Sequence, residues 1–110
     1  MAIISIRRAN LLPFLLLAAL SSAVIAEQPS YVPAKGFVSD EKTAIAIAEA
    51  IFVPIYGGKQ IVSERPFHAV LNSEGIWTLS GSLSDGWEGG VAIVRISRQD
   101  GRVLFVMHGK

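Results

Sequence analysis

No cysteine occurs anywhere in the 110 residues. The chain therefore forms no disulfide, offers no thiol nucleophile or thiolate metal ligand, and lacks the residue on which a lipoprotein anchor is built. Histidine is nearly absent too. His68 and His108 are the only two, and they do not form the HxxxH, HxH or HExxH spacings that bring two imidazoles to one metal. Charge is sparse at 17%, against about 25% in an average globular chain. Its ten basic and nine acidic side chains nearly balance, which excludes a basic field for nucleic acid or anionic lipid. Finally, no apolar run reaches the roughly 20 residues of a membrane span.

The longest apolar run is LLPFLLLAAL, Leu11 to Leu20. It follows Arg7 and Arg8 and precedes SSAVIA, where Val24 and Ala26 stand at the positions a signal peptidase inspects. That order predicts a secretory signal peptide over residues 1–26, cleaved before Glu27, and an exported, periplasmic protein. Without Arg7 and Arg8, eight basic side chains face nine acidic ones, so the exported part is close to neutral. It is one small domain, near the lower size at which a single core suffices.

Residues 27–38, with Pro29, Pro33 and Gly36, read as an extended lead-in. The domain proper is expected over residues 39–110. Ser39 is a candidate N-cap, Asp40 and Glu41 suit the positive end of a helix dipole, and TAIAIAEAIF supplies strong helix formers. Ile45, Ala48, Phe52 and Ile55 form one apolar stripe, widened by Ala44, Ile47 and Ile51. The helix is expected over about residues 40–55, with Pro54 kinking or ending its last turn and Gly57-Gly58 beyond it.

After Lys59 the period shifts towards two. KQIVSERP reads as a short extended stretch stopped by Pro66, and four strands come next in FHAVLN, IWTLSGSL, GVAIVRIS and RVLFVMH. Their connections are SEG, SDGWEG and RQDG, all turn-forming, with Asp100-Gly101 the strongest hairpin signal. One helix and four closely spaced strands predict an α+β fold, the helix packed on a curved antiparallel four-stranded meander. Apolar residues occupy both faces of the last two strands, more than one helix of about four turns can cover. A second copy or another partner is a candidate cover for the spare face.

Chemistry is poorly represented. The carboxylates lie mostly at caps and turns, no serine sits in GxSxG, and the glycine-rich loop lacks the lysine and following helix of a phosphate loop. The histidines are expected to face solvent. Trp77 follows the strand rhythm with Leu79 and Leu83 and reads as core. Gly81 within a strand suggests a bend or a close backbone approach. Trp87 differs from these, because it stands in the turn SDGWEGG, where a rigid amphipathic surface suits a protein interface. Asp85, Trp87 and Glu88 are therefore the candidate partner-binding residues, with no catalytic, metal or cofactor site expected.

Three stretches in order, GFVSDEKTAIAIAEAIFVPIYG, RPFHAVLNSEGIWTLSGSL and GWEGGVAIVRISRQDGRVLFVMHGK, resemble a small bacterial immunity-protein family. That family is assigned a nuclear-transport-factor-2-like, or cystatin-like, fold and belongs to polymorphic toxin and contact-inhibition systems. The similarity covers about residues 36–110. It rests on the AIAIAEAI helix with its late proline, the W-x-L-S-G-S-L strand, the G-G-V-A-x-V-x-I strand and the D-G-R-V hairpin, all structural features. A full domain of that fold has several helices before its sheet. This chain has room for one, which implies a minimal version. The resemblance implies a non-enzymatic antidote that binds a cognate toxin protein, and the signal peptide would place it in the envelope, with no nucleic acid and no membrane contact after cleavage. Two alternatives share these features: a periplasmic binding or inhibitory module acting on an endogenous envelope protein, and a structural domain that forms a homodimer.

Overall fold

The computed structural model describes residues 30–110; the expected signal segment, 1–26, and the start of the lead-in lie outside the described residues. Residues Val32–Lys110 form one compact unit. Helix α1 spans Glu41–Tyr56. Its cap is Asp40 and not Ser39: the Asp40 carboxylate accepts the Thr43 backbone N–H at 2.8 Å and the Thr43 hydroxyl at 3.1 Å. A side chain one residue earlier would miss that i+3 donor. The fully buried row is Ala44, Ala48 and Phe52, with Ile45, Ile47 and Ile51 packed beside it. Steps of four carry this row on to Tyr56, so Ile55, expected in the stripe, is exposed. Pro54 sits inside the helix without ending it. It and Ala50, whose carbonyl loses a donor, are both on the exposed side, where water can replace the missing bond.

Gly57, at φ 92°, then turns the chain and donates its N–H to Val53 O. The stretch after this turn is helical, contrary to the extended form expected from its sequence. Gly58–Ser63 is a short second helix, α2, with Ile61 as its one buried residue. A single anchor in six residues leaves no periodicity to read. Beyond it, Arg65 grips the Glu49 carboxylate of α1 through Nε at 2.6 Å and Nη2 at 3.1 Å.

The sheet is the expected meander: β1 (His68–Leu71), β2 (Ile76–Ser80), β3 (Ala92–Ser97) and β4 (Val103–His108), antiparallel in the order β1-β2-β3-β4. Asn72 closes the first hairpin by accepting the N–H groups of Glu74 and Ile76. One cross-strand row, Ala69, Leu79, Val94 and Val106, runs through all four strands on the core side. Beside it, Leu71, Trp77 and Ile96 are in register. α1 packs against β1, β2 and β3. Trp77 is buried as expected, and its indole N–H donates to Val38 O at 2.8 Å. Val38 is itself buried, and the N–H groups of Phe37 and Val38 bond the Gln99 and Arg98 carbonyls at the β3–β4 turn. Leu83, expected in the core with Trp77 and Leu79, is exposed because β2 stops at Ser80. Among the described residues no helix is long and apolar enough to cross a membrane.

Candidate functional site

Where α2 ends, the chain buries Glu64, which is only 3% exposed. Its Oε1 accepts the Ala92 backbone N–H at 2.6 Å, and Oε2 accepts Gln60 Nε2 at 3.0 Å and His108 Nε2 at 2.9 Å. Thus one carboxylate ties α2 to the start of β3 and the end of β4. Burial by itself would raise the Glu64 pKa. The Ala92 N–H, the Gln60 amide and His108 together outweigh it, so the carboxyl is held below its ordinary value and stays ionised. His108 contacts only acceptors, the Glu64 carboxylate at Nε2 and Gly109 O at Nδ1, 2.7 Å away. Both ring nitrogens must then carry protons. The hydrogen bond to Glu64 first, then the one to Gly109 O, raise the His108 pKa against the opposing effect of burial.

His108, expected to face solvent, does not. The tilted ring of Tyr56, 5.1 Å away between centroids, packs on it. Glycine makes the arrangement fit. A Cβ on Gly81 would lie 2.6 Å from Glu64 Oε1 and 3.3 Å from the Phe67 ring, which identifies the close approach that Gly81 signals in the sequence. Between Gly90 and Gly109 the backbones come so near that a Cβ on either would collide with the other's chain.

Over this floor lies a cavity of about 510 Å³. Tyr56, Lys59 and Gln60 line one wall and Ser82, Ser84 and Trp87 the other. Besides Gln60 and Glu64, two of its polar groups already have uses: the Ser63 hydroxyl donates to Gln60 O, and the Ser82 hydroxyl donates to Pro66 O while pairing with His68 Nε2 at 2.9 Å. Lys59 lines the cavity without an ion-pair partner among the described residues. His108 does not line it. Both nitrogens of His108 are engaged, by Glu64 and by Gly109 O, and the pair fastens the end of α2 to the end of β4. Among the described residues no group of three or more side chains gathers for a metal ion.

The three candidate residues of the SDGWEGG turn sit in the loop over this cavity. Trp87 is 73% exposed and forms part of the lining. Asp85 and Glu88 are exposed in the same loop but are not lining residues. Here the chain turns through Gly86 at φ 78°, with the Trp87 N–H bonded to Ser84 O. The sequence pattern thus marks the loop and misses the wall opposite, made by the end of α1 and by α2, as well as the Glu64 floor.

The sequence of this chain finds parallels among known proteins. The family model described as "NTF2 fold immunity protein" matches residues 43–110, a span that holds nearly all of α1, α2 and the whole sheet. The chain is also similar to the "uncharacterized protein YhhH" of Escherichia coli (strain K12), 31% identical over 77 residues, which are 69% of this chain and 60% of that protein. It therefore spans less than two thirds of that curated relative's length. No solved structure matches.

Proposed function

From the premise that the chain belongs to the NTF2-fold immunity protein family, we propose that it binds and neutralises a cognate bacterial toxin in the cell envelope. The family match carries this reading, since it extends over nearly the whole folded unit. The envelope is favoured by the signal-like order of residues 1–26, with Arg7-Arg8, the apolar LLPFLLLAAL and the small residues before Glu27.

For the interface, the Trp87 loop and its cavity are the favoured surface. A mostly exposed tryptophan beside a cavity is poised to pack against a partner and exclude water, as interface hot spots do. Asp85 and Glu88 supply acidic neighbours that favour a basic patch on the toxin. Antidote action needs only occlusion, with no turnover.

The test is competition between sibling cells. A strain deleted for the gene is expected to be killed in contact with its parent and to be rescued by the wild-type gene. Trp87→Ala is expected to rescue poorly, because losing a hot spot weakens capture by about 1–2 kcal/mol or more, roughly five- to thirtyfold or greater. Equal survival of the deletion strain and its parent would overturn the toxin reading. A growth defect of the deletion strain in pure culture, without any killing, would redirect attention to an endogenous envelope target.

A further inference from the structure

Two Asp-Gly pairs occur in the chain, Asp85-Gly86 in the loop over the cavity and Asp100-Gly101 in the β3–β4 turn. In both, the backbone nitrogen after the aspartate can attack its carboxyl, because glycine puts no side chain beside that nitrogen. The fold treats the two pairs differently. At Asp100 the reacting groups are occupied. Its Oδ1 accepts the Arg102 N–H at 3.0 Å, and that bond holds the carboxyl below its ordinary pKa and thus ionised. The Gly101 N–H donates to Ser97 O at 2.8 Å. A Cβ at Gly101 would lie 3.5 Å from Val38 Cγ2, so the turn is packed against a buried side chain. At Asp85 the same groups are free. Among the described residues no hydrogen bond or ion pair engages its carboxylate, and none engages the Gly86 N–H. A Cβ at Gly86 would find no other part of the chain within 4 Å, and residues 83–89 are all exposed. One backbone bond, from the Trp87 N–H to Ser84 O at 3.1 Å, closes the turn.

We propose that Asp85-Gly86 is a site of spontaneous isomerisation, where aspartate converts to isoaspartate through a succinimide, and that the fold protects Asp100-Gly101 from the same reaction. In the first step the Gly86 nitrogen attacks Cγ of the protonated Asp85 carboxyl. An N–Cγ bond forms, the Cγ–OH bond breaks, and the hydroxyl leaves with the amide proton as water. Water then adds back at one of the two ring carbonyls. Addition at Cγ restores aspartate, whereas addition at the Asp85 backbone carbonyl breaks its bond to the Gly86 nitrogen and leaves the chain running through the β-carbon. The mass is unchanged, water is the only co-reactant, and the main chain gains one carbon just before Gly86. That carbon falls inside the turn closed by Ser84 O and the Trp87 N–H, so Trp87 shifts over the cavity. On the reading of this loop as the toxin surface, isomerised chains lose capture; the modification itself does not depend on that reading.

The experiment is peptide mapping of the purified protein after several weeks held warm at about pH 5, where a minor fraction of ordinary aspartyl carboxyls is protonated. Isoaspartate is read from the separated peptides by electron-based fragmentation and by methylation with an isoaspartyl methyltransferase. In the folded protein, conversion is expected at Asp85, and at Asp100 slower by about tenfold or more, since two hydrogen bonds must open there first. In urea the two rates are expected to converge, because the reacting dipeptides are identical. Asp85→Glu, in which the same attack would close a larger ring, is expected to abolish the signal at this position while the melting curve stays that of the wild type. No isoaspartate at Asp85, equal rates at the two sites in the folded protein, or a difference that persists in urea would each overturn the proposal.

Discussion

Glu64 takes three hydrogen bonds in a site almost closed to water, so its charge state and that of His108 set how the fold responds to pH. The native Glu64 pKa lies below the ordinary 4.5. Its contribution is therefore complete above 4.5 and is lost as pH falls through the lowered native value. For His108 the native pKa lies above 6.5. Its contribution is complete below 6.5 and is lost as pH rises through the raised native value. Stability from the pair should be greatest between these two values and decline on the alkaline side by about 1.5–3 kcal/mol, the scale of a hydrogen bond to a charged group. Urea unfolding from pH 5 to 9 measures this, and His108→Gln is expected to remove the alkaline decline. Glu64→Ala is the harsher change. It leaves the Ala92 N–H and an imidazolium without their acceptor, and should cost about 3–5 kcal/mol in the same assay. Nothing local in Ser63-Glu64-Arg65-Pro66 signals this burial. Two of the three donors lie 28 and 44 residues further along the chain, and residue pairing at such range leaves no periodicity.

At the scale of elements, legibility tracks repetition. α1 and the four strands repeat their apolar positions over several turns or pleats, so the sequence reveals them to within a few residues. α2 repeats nothing, with Ile61 as its lone buried side chain, and its helical form depends on the Gly57 turn and the packing beneath. The candidate site divides the same way. Trp87 and its acidic neighbours are visible as an odd loop, but the α2 wall is invisible because α2 itself is. Gly81 joins the two halves, since it ends β2 and makes room for the Glu64 carboxylate. Gly81→Ala inserts a methyl 2.6 Å from Glu64 Oε1, and overpacking of that kind costs about 1–3 kcal/mol. Thermal unfolding should show the loss. Combined with Glu64→Ala, which vacates the space, the Gly81→Ala penalty should shrink; equal penalties in the two backgrounds would mean that the Glu64 side chain is not what Gly81 accommodates.

For the molecule as a whole, the decisive boundary is where the folded unit begins. The matched family segment starts at residue 43, yet the compact unit starts at Val32. The residues between include Val38, whose side chain is buried, whose N–H bonds Arg98 O, and whose carbonyl accepts the Trp77 indole. Burying a valine contributes about 1.5–3 kcal/mol, and leaving the indole N–H unpaired inside the core costs a further 1–3 kcal/mol or so. A unit of this size has roughly 4–12 kcal/mol in total. A chain beginning at Val32 should therefore unfold cooperatively, with stability close to that of the longer protein. One beginning at Asp40 retains the helix cap and all of the family segment, yet should lose about 3–5 kcal/mol and be partly unfolded at about 37 °C. Urea melts of the two truncations measure the difference. A small loss on removing Val38 would mean that the Trp77 indole finds another acceptor and that the sheet and α1 alone close the core.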